Sequence, residues 1–363
     1  MRLILHPSTI SADFQAYVAE PATSCTLNDI ILRRDSPKSR LDAASCPIVR
    51  LILASMFQTS MRNTLTAPVF IVLASILLHA SFAHAWGNEG HRIINRLALA
   101  NLPGDVPAFL RSEAAKKEIE YLGPEPDRWR SSGEPELNAA QAPEHFIDLE
   151  PADSLGPLPH RRLDFEAAVF ASGQRPEKIG LQPWEATEVW ERLKAALREY
   201  RNLAAAHQDT HAAEQVAIFY AGWLGHYVGD ASQPLHTTVQ YNGWTRANPN
   251  GYTTDHKIHW QFEGPFVSAN LHASDVQPRM TPAHTIEGDV FADYVTYLRQ
   301  TSKCVEKVYQ LEKVGGFEGQ GTQESRDFTA DRLAAAASKL RDMIYAAWIQ
   351  SGYPVPDPHA TAN

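Results

Sequence analysis

Residues 222–236 read Gly222-Trp223-Leu224-Gly225-His226-Tyr227-Val228-Gly229-Asp230-Ala231-Ser232-Gln233-Pro234-Leu235-His236. His226 and Asp230 lie four apart, so on a helix they share one face and converge on one point. Trp223, Leu224, Tyr227 and Val228 surround them with apolar side chains, which predicts a buried helix. Pro234 disfavours a helical Gln233 and ends the helix, and His236 falls just past the break. Two imidazoles and a carboxylate within eleven residues of apolar sequence suit a borderline-soft divalent ion such as zinc.

Outward from this stretch the pattern stays helical. Periodic apolar positions predict helices over residues 86–102, 107–122, 164–171, 184–206, 211–229, 254–271, 282–314 and 324–351. Residues 123–143, rich in Pro, Gly and charge, read as a loop that holds Asp127-Arg128-Trp129-Arg130. A short alternating run, Glu144 to Leu149, follows; residues 155–161 and 239–252 read as further loops, and residues 352–363 as an extended tail with three prolines. No internal repeat, glycine-rich phosphate loop or strand–helix alternation is present. The expected fold class is all-α, one mainly helical domain over residues 86–351 with long loops around a metal cleft.

The first 85 residues are of another kind. Met61 to Ala85 has the pattern of a secretory signal: Arg62, an apolar core from Val69 to Leu78, and an Ala83-His84-Ala85 cleavage site. The apolar run is too short for a comfortable membrane span. Residues 1–60, upstream of it, show no sustained period and read as a spurious or disordered extension. The mature chain would run from Trp86 to Asn363, 278 residues, which fits one domain with one core. Of 33 Lys and Arg and 42 Asp and Glu, seven and five fall before Trp86, leaving 26 against 37, a balance of −11. A chain this acidic has no general electrostatic hold on nucleic acid. If it handles phosphates, metal ions are the obvious source of positive charge. Of three cysteines only Cys304 follows the signal, so no internal disulfide can form and any metal site must use His, Asp and Glu. The expectation is a periplasmic or secreted protein with no membrane anchor after cleavage and no obligate protein partner.

Carboxylates accompany several histidines. Trp86-Gly87-Asn88-Glu89-Gly90-His91 opens the mature chain, where a free α-amine and its own carbonyl could chelate an ion. His145 follows the Asp127 loop. His259 and Glu263 repeat the i, i+4 relation of His226 and Asp230. His256 has no carboxylate four residues on and is left out; His160, His207, His211, His272, His284 and His359 have no ligand-like setting and are expected at the surface. The resulting set of five histidines, three carboxylates and one terminus exceeds what one four-coordinate zinc can hold. Three ions fit it. Asp127, His145, His226 and Asp230 make one group; Trp86 and His91 with a bridging Asp230 make a second; His236, His259 and Glu263 make a third with an open position.

W-G-x-x-G-H at a mature N-terminus, D-x-x-R, H-F-x-D, H-x-x-x-D followed by P-L-H, and H-x-x-x-E together resemble the trinuclear-zinc phosphoesterases. These are the single-strand-specific nucleases of the mung bean nuclease type and the related bacterial zinc-dependent phospholipases C. The resemblance spans Trp86 to about residue 350. The five-residue step from Trp86 to His91 and the 23-residue step from His236 to His259 are nuclease-like. Glu263 stands where the nucleases usually carry Asp and is phospholipase-like, and the fungal disulfides are missing. The resemblance implies three Zn2+ ions and hydrolysis of single-stranded DNA and RNA to 5′-phosphates by zinc-activated hydroxide, with 3′-nucleotidase activity alongside. Asp127 would orient the hydroxide, Arg130 hold the phosphate, Asp230 bridge two ions, Phe146 stack on a base and Asp148 bond its edge. The alternative it leaves open is a phospholipase C acting on lipid head groups.

Overall fold

The computed structural model describes residues 86–355. The extension over 1–60, the signal segment over 61–85 and tail residues 356–363 lie outside the described residues. Eight α-helices of nine residues or more are found among the described residues: α1 (Gly87–Ala100), α2 (Glu113–Leu122), α3 (Arg162–Ala171), α4 (Gln182–Ala205), α5 (His211–Asp230), α6 (Val290–Ser302), α7 (Val305–Lys313) and α8 (Gln323–Ser351). The one strand-like feature among those residues is an isolated bridge between Tyr241 and Gly243. The fold is all-α.

Helix α5 carries the stretch around His226, and its sequence explains its place. Apolar residues on nearly every side make it a core helix, and it packs against α1, α2, α4 and α8 at once. Glycines allow the close approach. A Cβ on Gly225 would fall 1.9 Å from the Asn95 Oδ1 of α1. That buried Asn95 donates its amide to the carbonyls of Ile119 (2.8 Å) and Gly222 (3.1 Å), tying α1, α2 and α5 together.

The C-terminal end of α5 is buried; Ala231 N donates to Tyr227 O and Ser232 N to Gly229 O (both 2.9 Å), and side chains add further donors to the last turn. Tyr294 Oη donates to the Tyr227 carbonyl (2.9 Å) and Gln182 Nε2 donates to the same oxygen (2.7 Å). Tyr297 Oη donates to Val228 O (3.2 Å), and the Trp86 indole to Gly229 O (2.8 Å). Four side chains from α1's N-terminus, α4 and α6 thus clamp the last turn, the turn that ends in Asp230. Beyond it, Gln233 is extended before Pro234, as a pre-proline residue prefers, and Pro234–Thr237 forms a single 3₁₀ turn.

A buried ion cluster sets the segment before His145. Arg162 on α3 donates to Glu144 Oε1 (3.1 Å) and Glu166 Oε1 (3.0 Å) and lies 3.4 Å from Glu185 Oε2 on α4. Burial pushes both Glu144 and Glu185 up; Glu185, with the Glu144 charge adding and Arg192 opposing, reaches about 8. A carboxyl raised in the folded state favours folding while protonated, and that contribution is lost as pH rises from the ordinary carboxylate range towards 8. Glu185→Gln is therefore expected to melt with the wild type below about pH 4.5 and above it by a margin that grows towards pH 8, roughly a few kcal/mol. Melting curves that stay parallel from pH 4.5 to 9 would refute this.

The helices over 164–171, 184–206, 211–229 and 324–351 stand within two residues of their predicted bounds. Four segments differ. The predicted helix over 107–122 starts only at Glu113, where Ser112 caps it by accepting from Ala115 N (3.1 Å). Residues 123–143 hold two short helices, Glu125–Trp129 and Pro135–Gln141, each with Pro in its first turn, where Pro costs no hydrogen bond. The predicted helix over 254–271 starts only at Ile258 and passes through a π-helical turn, Phe262–Phe266, with Pro265 inside it. The predicted helix over 282–314 starts only at Val290, after irregular residues 280–287, where Asp289 caps it by accepting from Ala292 N (3.1 Å), and it breaks at a turn over Lys303 and Cys304 into α6 and α7. Among the tail residues described, Pro354 and Val355 have no regular structure.

Candidate metal centre

At the end of α5, Asp230 is fully buried and each of its oxygens faces a different group. Oδ2 lies 3.1 Å from His145 Nδ1 and 3.4 Å from His226 Nε2, while Oδ1 lies 3.4 Å from His91 Nε2. His91 comes from α1 and reaches α5 at Gly229, where a Cβ would sit 2.9 Å from its ring. Its ring stacks on that of His226, with centroids 4.1 Å apart. Asp127, on the short helix Glu125–Trp129, brings Oδ1 to 3.7 Å from His145 Nδ1 and 3.9 Å from His226 Nε2. Arg130 Nη1 stands 3.6 Å from the same carboxylate oxygen.

The third group, His236, His259 and Glu263, lies wholly past Pro234. His236 Nε2 and His259 Nε2 are 3.0 Å apart, and Glu263 Oε2 lies 2.8 Å from the second and 3.5 Å from the first. Glu263 sits on the π-helical turn, a local widening common at functional sites. Gln233, which no motif singles out, donates Nε2 to Glu263 Oε2 (3.0 Å) and accepts from Leu235 N at its Oε1 (2.6 Å). It fixes the carboxylate and the turn that carries His236 together.

Backbone carbonyls set the tautomers. His226 Nδ1 donates to Gly123 O (2.9 Å), His236 Nδ1 to His145 O (2.7 Å) and His259 Nδ1 to Tyr241 O (3.1 Å). A carbonyl only accepts, so in the neutral rings each Nε2 is a lone pair aimed inward. At His236, His259 and Glu263 three lone pairs then converge within hydrogen-bond distance with no proton of their own between them. A positive charge, either a proton on one ring or a metal ion, resolves that arrangement. Glu263 Oε1 is also buried, without a hydrogen-bond partner among the described residues.

Burial drives the charges the same way. It pushes the Asp230 carboxyl well above the ordinary range and, with His91 and His145 adding, the His226 imidazole well below it. Burial would raise Glu263 as well, but the imidazoles of His259 and His236 hold it at about 2. A multivalent cation at the negative end of the α5 dipole lets carboxylates ionise and imidazoles stay neutral at once. Three groups of residues could hold an ion: His91, His226 and Asp230; Asp127, His145 and His226; and His236, His259 and Glu263. The residues present therefore fit metal ions.

The residues singled out in the sequence fall at one place. Trp86 is buried, with its indole bonded to Gly229 O and to Ser232 Oγ (2.9 Å), one residue before and two after Asp230. Arg130, Phe146, Asp148, His145, His236 and His259 all line a single cleft of about 700 Å³. Burial, with the Glu150 charge adding and His236 opposing, pushes Asp148 up to about 7. His160, His207, His211, His272 and His284 are exposed, as expected, and so is His256, although it lines the same cleft; His359 lies outside the described residues. Residues missed in the sequence include Gln233, Ser232 and the carbonyls of Gly123, His145 and Tyr241. The Gln-Pro pair inside the quoted stretch was the available signal for Gln233; the carbonyls have none, since every residue carries one.

A comparison with curated proteins found no match. A family model, S1/P1 Nuclease, matches residues 86–355, the span that contains every histidine and carboxylate of the centre. Together with the all-α fold, the match shows that the chain belongs to the S1/P1 nuclease family, hydrolases acting on phosphodiester bonds.

Proposed function

We propose that this chain is an exported nuclease that hydrolyses single-stranded DNA and RNA to 5′-phosphate products, acts also as a 3′-nucleotidase, and works with three zinc ions. The observation that carries the reading is the placement of Asp230, whose two oxygens face two different histidine groups. Asp127, His145, His226 and Asp230 would hold one ion. Trp86, His91 and Asp230 would hold the second, and His236, His259 and Glu263 the third. When bound, the ions supply Lewis acidity towards the phosphoryl oxygens and towards water.

The chain's own groups do the rest. Arg130, held near Asp127 at the cleft wall, offers two parallel N–H donors to the non-bridging phosphoryl oxygens. Asp127 accepts a hydrogen bond from the attacking water or hydroxide and so fixes its direction. Phe146, half-buried beside His145, stacks on a base of any identity at about 1–3 kcal/mol. Asp148, which burial pushes up, presents a carboxyl group to the base edge, able to donate to a ring nitrogen as the acid or accept from an amino group as the carboxylate.

Glu263 supports a second reading, a phospholipase C acting on lipid head groups. The mature chain, zinc-loaded, should be assayed on single-stranded DNA, RNA and phosphatidylcholine, with and without a chelator. The expected result is cleavage of both nucleic acids that the chelator abolishes. Hydrolysis of phosphatidylcholine alone would transfer the chain to the second reading, and no hydrolysis of any substrate would remove both.

A further inference from the structure

Aromatic residues from separate segments line the cleft, and the H-F-x-D motif supplies only Phe146. Phe146 adjoins His145. Tyr241 and Trp260 line the same cleft and belong to no motif. They are 54% and 42% exposed, whereas nearby Ile258, Phe262 and Tyr252 are core residues. Trp260 lies two residues from Ile258 and two from Phe262, so those two face the core and the indole faces away from it. Packing thus accounts for their neighbours and leaves these two rings unexplained.

Their position follows from a chain of contacts. Phe146 is bonded in sequence to His145, whose carbonyl accepts from His236. His236 meets His259 Nε2 to Nε2. His259 donates to the Tyr241 carbonyl, stands edge-on to the Tyr241 ring with centroids 6.1 Å apart, and precedes Trp260. Through these contacts the group of His236, His259 and Glu263 links Phe146 to Tyr241 and Trp260. A strand whose phosphate sits at that group has one base towards Phe146 and its neighbour towards Tyr241 and Trp260.

We propose that Tyr241 and Trp260 form a second stacking wall, which takes the base on the far side of the scissile phosphate from Phe146. The inference rests on the nuclease reading above. It makes the site a reader of two adjacent nucleotides, selective for unpaired strands, because only unstacked bases can present their faces to two walls.

Dinucleotides carrying both bases, or with an abasic sugar at the 5′ or the 3′ position, separate the two walls. In the wild type each base should raise kcat/KM about tenfold or more, mostly through KM. Y241A/W260A should lose the preference for one base and keep that for the other. Y241F/W260F should retain both. Trp260→Ala alone, which truncates an exposed side chain, serves if the double variant folds poorly. A double variant that still gains from both bases, or that loses both preferences equally, overturns the second wall while leaving the nuclease standing. A wild type inert on every nucleic acid but active on phosphatidylcholine overturns the nuclease reading and this inference with it.

Discussion

Asp230→Asn is expected to lower kcat by about 10³-fold or more and to reduce the number of bound metal ions, with the fold intact. The reason is arithmetic of lone pairs. The carboxylate presents one oxygen to His91 and the other to His145 and His226, and an amide has only one oxygen to offer. One group must lose its anionic donor whichever way the amide turns. The fold should survive because burial already disfavours the charge of Asp230, so a neutral isostere is tolerated in the metal-free protein. Metal analysis, circular dichroism and kinetics on the same preparation test the prediction together. Activity within tenfold of wild type at unchanged metal content would exclude Asp230 as the shared ligand. Asp148→Asn, at the cleft wall, is the useful contrast, since it should alter the dependence on base identity without changing the metal content.

The core of this arrangement was legible because helix geometry converts spacing into proximity. His226 with Asp230, and His259 with Glu263, are four apart, and both pairs meet as that spacing requires. Pro234 likewise announced where α5 ends. What was hidden depends on tertiary contacts. The helix Glu125–Trp129 that presents Asp127 is five residues long, too short to have stability of its own, so only packing decides that the segment is not a loop. The π turn at Phe262–Phe266 is invisible to a 3.6-residue period. Irregular residues 280–287 hide behind scattered apolar positions, and their backbone is held from outside, by Ser338 on Thr281 N (3.1 Å) and Asp342 on His284 N (3.2 Å). At the site, the ligand types were readable, but the carbonyls that choose each tautomer were not.

A chain that keeps residues 61–85 is expected to bind one ion fewer than a chain that begins at Trp86, and to be about 10²-fold or more less active. The structure fixes Trp86 from both sides. Its side chain is fully buried and its indole donates to Gly229 O and Ser232 Oγ, bracketing Asp230. Its carbonyl accepts from Gly90 N (3.1 Å), and a Cβ on Gly90 would fall 2.8 Å from the Trp86 Cβ, so the backbone there has no room to shift. His91, on the first turns of the same helix, points at Asp230. A free amine at this position has a lone pair to donate. An amide nitrogen has none, because resonance commits it to the peptide bond. The N-terminal end of α1 also carries partial positive charge, which disfavours an ammonium and favours the neutral, ligating amine. The segment's bulk can be separated from its chemistry by comparing three forms: the chain from Trp86, the same chain with Ala85 alone restored, and the chain from Met61. If the amine is the ligand, one added residue does as much damage as twenty-five, and both longer forms lose the same ion. Undiminished activity with three ions in either longer form would remove Trp86 from the ligand set and leave His91 and Asp230 to bind without it.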